Sequence, residues 1–178
     1  MSNSNNFVFK DLHVVAWIIF VGLSIEAGAL IVNFIFSFFN PQVLHNLYQK
    51  LDLSEMYNHN KWIFFSMYSF ILFIAIMKAY LFYMVIRLLS KFDPSKPFSN
   101  FVSDQITQIS YTTFSIGIIS YIGQQIAKSL EHYGYATDNL NPFWTDSQAF
   151  VLMAAVIYAI AAIFKKGVEI QNENHLTD

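Results

Sequence analysis

An acidic and a basic side chain stand where a charge is expensive to keep. Glu26 lies well inside one apolar run, at 14–39, and Lys78 well inside another, at 62–89. A charge at the centre of a bilayer costs about 2.5–3.5 kcal/mol on insertion scales. At a rise of 1.5 Å per residue, Glu26 is roughly 18 Å from the start of its run and Lys78 roughly 16 Å from the end of its own. The second run returns antiparallel, so both charges fall at one depth, and snorkelling brings a Lys only part of the way to either surface. Three arrangements compete: an ion pair joining the two helices, a functional site in which protonation or a ligand breaks that pair, and separate charges that are neutralised or face water.

Other reactive constellations are poor. Glu55 and His59 are four apart and would share a helix face, with His45 and His132 in the same hydrophilic stretches. No recognised zinc-ligand spacing is present, so neither metal nor cofactor is expected. Zero cysteines exclude a disulfide framework, a thiolate metal site and a Cys nucleophile. There is no Gly-rich phosphate loop, nucleophile elbow or paired-carboxylate motif, so no enzymatic activity is expected. Net charge is −2 without a basic run, which argues against direct nucleic-acid binding.

The elements that must position these residues are membrane helices. The chain has 178 residues, 55% hydrophobic and only 12% charged, against about 25% charged in a soluble domain. A spanning helix needs about 20 mostly apolar residues. Four runs qualify, at 14–39, 62–89, 105–127 and 147–164, the third weaker than the rest. Ala27-Gly28-Ala29 superficially fits a signal-peptide cleavage site, but apolar sequence continues past it, so a retained helix is expected. Lys10, Arg87, Lys91, Lys96, Lys165 and Lys166 fall on one side, Lys50, Lys61 and Lys128 on the other. That bias places both termini in the cytoplasm. The expectation is an all-α, single-domain four-helix bundle in the inner membrane, with outer loops at 40–61 and 128–146 and a short amphipathic cytoplasmic tail. Trp62 and Trp144 should mark the outer interface. Tyr48, Tyr57, Tyr133 and Tyr135 make the outer loops aromatic, for packing on the bilayer or for recognition.

Helices in lipid associate through close packing and hydrogen bonds. Ser103, Ser110, Thr113, Gly117, Ser120 and Gln124 recur at steps of three, four and seven, and so form one polar face of the third span. Either the bundle packs on it or it lines a polar pathway. Ile109, Phe114, Ile116, Ile118, Ile119 and Ile122 should meet lipid. Ala155, Ala159 and Ala162 form a comparable stripe on the fourth span, and Ser24-x-x-x-Gly28 one on the first.

Two further segments carry a resemblance. One is the loop Lys96-Pro97-Phe98-Ser99-Asn100. The other is the tail from Lys165-Lys166-Gly167 through Glu169 and Glu173 to Leu176-Thr177. With Lys78-Ala79-Tyr80-Leu81, they resemble the bacterial membrane family labelled domain of unknown function 2975, over the whole four-helix layout. His175, the terminal Asp178, and Gln105, Thr107 and Gln108 depart from its pattern. The resemblance implies no established activity. It implies an association with a small helix-turn-helix regulator, and hence membrane-linked transcriptional control. Pro97, Phe98, Lys165, Lys166, Glu169 and Glu173 are then candidate partner contacts. Two other classes remain open: a small transporter or permeation subunit using Glu26 and Lys78, and a structural subunit of a membrane complex.

Overall fold

The computed structural model describes residues 2–39, 53–144 and 146–175, and among them every regular element is helical. Most of the expected outer loop at 40–61, with His45 and Tyr48, lies outside the described residues, as do Leu176 and Thr177. Four helices are long: α1 (Ser2–Phe39), α3 (Lys61–Lys91), α4 (Asn100–His132) and α5 (Ser147–His175). A short α2 (Ser54–His59) precedes α3, and a 3-10 turn (Asp138–Phe143) precedes α5. Three segments are long and apolar enough to cross a membrane: Val8–Phe39, Lys61–Lys91 and Asp138–Glu173, the last containing most of α5.

The helices outrun the expected spans. α1 begins at Ser2, and α5 continues past Phe164 through Lys165-Lys166-Gly167 to His175. At 1.5 Å per residue the 29 residues of α5 extend over about 43 Å, beyond a hydrocarbon core of about 30 Å. Local chemistry sets the other ends. The Asn60 side chain accepts from Trp62 N at 2.9 Å and starts α3. Pro94 and Pro97 keep the α3–α4 connection non-helical, and Ser99 Oγ accepts from Val102 N to start α4. α4 closes in a Schellman arrangement: Gly134 has φ 83°, its N–H bonds Glu131 O, and Tyr135 N bonds Leu130 O.

α1 packs on α3, α3 on α4, and α4 on α5. Phe9 meets Phe92, Phe20 meets Tyr83, Phe34 stacks on Tyr68 and Phe38 on Phe65. Tyr68 Oη donates to Leu30 O at 3.1 Å, and Trp17 Nε1 donates to His13 Nε2, which lies 3.2 Å from Ser90 Oγ.

α4 is one of two inner helices, flanked by α3 and α5, and its Ser103, Gln105, Ser110, Thr113 and Ser120 are all buried. One flank carries Phe101 and Gly123 toward α3; the other carries Ser110 and Gly117 toward α5. Ile109 and Ile116, expected to meet lipid, are buried in the core, whereas Phe114, Ile118 and Ile122 are exposed. On α5 the buried alanines are Ala154 and Ala161, and the predicted stripe Ala155, Ala159 and Ala162 points outward. Trp144 corrects another expectation. It is 1% exposed and packed against Gly123, where Trp62 is 82% exposed.

Candidate functional site

The loop and the tail meet. Pro94 and Pro97 exclude helix between α3 and α4. Asp93 Oδ1 accepts from Ser95 N at 2.9 Å, and Lys96 N donates to Asp93 O at 3.0 Å. That turn on one side and the Ser99 cap on the other hold Phe98 so that its ring lies on α5. The ring centroid is 5.4 Å from that of Phe164. A Cβ built on Gly167 would come within 2.9 Å of Phe98 Cγ and closer still to Cδ1 and Cε1. Glycine inside a helix costs about 1 kcal/mol relative to alanine. Here its missing side chain is the notch that admits the ring.

The other candidates of this patch are peripheral to the notch. Pro97 is half-buried, and Lys165, Lys166, Glu169 and Glu173 are exposed. Lys166 Nζ lies 3.0 Å from Glu169 Oε2, an ion pair one turn long on the helix surface. Such pairs contribute little, because both partners stay solvated. Val168 is buried and Ile170 exposed, so the α5 extension has a docked face and a free one.

Glu26 and Lys78 are level but not joined. The α1–α3 ring pairs set an antiparallel register that brings Glu26 opposite Ile76 and Met77, within two residues of Lys78. Yet no ion pair connects them among the described residues, and the Lys78 ammonium lies 5.6 Å from the centre of the Phe150 ring of α5. Of the three arrangements open from the sequence, the ion pair is not formed, and Lys78 makes a cation–π contact between α3 and α5. A double-mutant cycle of Glu26→Gln and Lys78→Met, read by unfolding in detergent, should give a coupling below about 0.5 kcal/mol, as for independent sites. A coupling of about 1 kcal/mol or more would restore the ion pair.

The polar face of α4 is used in packing. Ser110 Oγ donates to Ala154 O at 2.9 Å across the α4–α5 seam, and Thr113 Oγ1 donates to Ile109 O at 2.7 Å within α4. Gly117 brings the two backbones together: a Cβ there would lie 3.0 Å from both Ser147 O and Val151 N. Ser120 is buried and Gln124 half-buried.

At the opposite end, Glu55, Asn58, His59 and Tyr135 line an open cavity of about 420 Å³, with the His59 and Tyr135 rings 4.5 Å apart. No group of three or more metal-ligating side chains forms among the described residues.

Sequence reasoning named Arg87, Lys91 and Gln105 but did not bring them together at the α3–α4 corner. Arg87 and Lys91 both lie over the Phe101 ring, at 5.8 and 5.3 Å from its centre. Gln105 is 3% exposed with its amide nitrogen unpartnered. The available signal was the spacing: Arg87 and Lys91 are four apart, as are Phe101 and Gln105.

No curated protein and no solved structure matches the chain. The model of one family, described as protein of unknown function (DUF2975), matches residues 47–177. The match takes in α3 to α5, the Pro-Phe loop and the tail; it leaves out α1 and Glu26, so it is narrower than the full four-helix layout. Because it covers well over half of the residues, the chain belongs to the DUF2975 family.

Proposed function

We propose that this chain is a non-enzymatic regulator or sensor of the bacterial inner membrane, built as a four-helix bundle with both termini in the cytoplasm. One contact carries the reading: Phe98 of the loop seated on Gly167 of the tail. The two polar segments distant in sequence form one surface, and the excess of Lys and Arg on that side supports its cytoplasmic placement. On this reading a signal received around α2 and the 3-10 turn shifts the long helices, and the shift is read at the clasp. The partner is a small cytoplasmic helix-turn-helix regulator, held through the exposed face of the α5 extension around Ile170. Such a mixed apolar and charged face suits a weak, salt-sensitive contact.

The test is deletion of residues 171–178, which removes only the polar end of α5 beyond Ile170 and leaves the notch intact. The truncated chain should insert and fold as before, lose its partner in pull-downs from native membranes, and change the expression of neighbouring genes. Retention of every partner with unchanged expression would overturn the proposal.

A further inference from the structure

We infer that the corner between α3 and α4 binds the phosphate of an anionic phospholipid. The corner presents donors without acceptors. Arg87 and Lys91 are exposed, stand one turn apart on α3, and converge on the face of the Phe101 ring. Neither has an ion-pair partner among the described residues. Asp93 is engaged by Ser95 N, and Asp104, three residues beyond Phe101, is exposed and bonds neither cation. One turn deeper on the same flank of α4, Gln105 is buried with its amide nitrogen unpartnered. A buried donor left without an acceptor costs about 1–3 kcal/mol. A cation resting on a ring by its face keeps its N–H groups available, and a guanidinium presents them as a planar fork that matches phosphate oxygens.

The surroundings make the anion a lipid. Lys91 is the last residue of an apolar helix, at the level where headgroups lie. From Arg87 the exposed residues Tyr80, Ile76 and Phe73 follow down α3 at steps of seven, four and three, on one face of the helix. They lead to an open groove between α3 and α4 lined by Ser66, Ser69, Phe70, Phe73 and Ile119. A headgroup at Arg87 and Lys91 thus has an apolar track for its acyl chain, which a soluble phosphate would leave unused. Basic pockets between spanning helices on the cytoplasmic side are where anionic headgroups are held.

The full chain is reconstituted in nanodiscs of equal phosphatidylglycerol and phosphatidylcholine, and lipids retained after transfer to detergent are counted by native mass spectrometry. Wild-type protein should retain phosphatidylglycerol preferentially. The preference should fall about fivefold for Lys91→Gln and about twenty-five-fold for Arg87→Gln with Lys91→Gln, since each interfacial cation is worth about that factor. Lys91→Gln changes one exposed residue at a helix end and keeps the test valid if the double variant folds poorly. Gln105→Leu should lower the preference without changing the net charge. Lys165→Gln with Lys166→Gln, on α5, should leave it intact. Absence of any preference in the wild type would overturn the inference. So would an equal loss in the Lys165 and Lys166 variant, which would mean diffuse surface charge. Displacement of the retained lipid by millimolar glycerol phosphate would assign the corner to a soluble anion instead.

Discussion

Gly117→Val should pry α4 from α5 and give the largest loss of stability of any single substitution in the seam. The first added carbon would lie 2.7 Å from Val151 Cγ2 and 3.0 Å from Ser147 O and Val151 N. A valine methyl can rotate away; the backbone of the first turns of α5 moves only if the helix itself shifts. The helices must therefore separate, and the two further carbons of valine widen the gap. Separation loosens the bond from Ser110 Oγ to Ala154 O and exposes Ala154 and Ala161, both 2% exposed. Overpacking of this kind costs about 1–3 kcal/mol, and loss of an interhelical hydrogen bond in a membrane protein adds about 0.6 kcal/mol. Gly28 is the internal control, because nothing lies within 4 Å of a Cβ placed there. Reversible unfolding in mixed micelles should show Gly117→Val destabilised by about 3 kcal/mol, Gly117→Ala by less, and Gly28→Val by no more than about 0.5 kcal/mol. Equal effects at Gly117 and Gly28 would mean that α4 and α5 do not touch where this structure joins them.

The same seam shows which parts of the architecture were legible in the residues. The polar face of α4 was readable because Ser, Thr and Gly are rare in lipid-facing helices and recur there at helical steps. Its partner face was not. α5 carries small residues at 154, 155, 159, 161 and 162, so alanine spacing suits two faces equally, and only the register against Ser110 and Gly117 selects Ala154 and Ala161. Ser24-x-x-x-Gly28 failed for a related reason: small residues permit close approach but do not require it. Glu26 and Lys78 follow a parallel logic. Counting residues along each run fixes depth, and the ring pairs between α1 and α3 place the two level. Counting does not fix rotation about the helix axis or the rotamer of a long side chain, and those send Lys78 to Phe150. Trp144 was misplaced because an indole at a helix end suits an interface and a core equally well. The gap opened by Gly123 decides for the core.

Gly167→Leu should open the clasp between loop and tail without unfolding the helix that carries it. Leucine is a better helix former than glycine by about 0.8 kcal/mol, so the α5 extension itself gains. The ring of Phe98 loses its seat, because the space it fills is the one a side chain at 167 would take. Phe98 is 40% exposed already, and its loop is held elsewhere by the Phe9–Phe92 ring contact at its start, the turn at Asp93 and the cap at Ser99. Displacement therefore frees the loop without melting α3 or α4. Lys91 stands at the start of that loop and offers trypsin one site, the Lys91–Phe92 bond, since the Lys96–Pro97 bond resists it; release of the loop is read as cleavage there in detergent. Gly167→Leu should be cut between α3 and α4 about tenfold faster than wild type, as expected if about 1.4 kcal/mol of local docking is lost. Phe98→Ala should behave the same way. The combination should be no worse than either alone, because both remove one contact. Unchanged cleavage in Gly167→Leu would mean that the loop is held without the notch. Additive effects in the combination would mean that Phe98 and Gly167 act through different neighbours. If the clasp opens as expected, the variant also separates two roles for the tail. Partner binding that survives Gly167→Leu belongs to the free face around Ile170, and binding that is lost with it belongs to the joined surface of loop and tail.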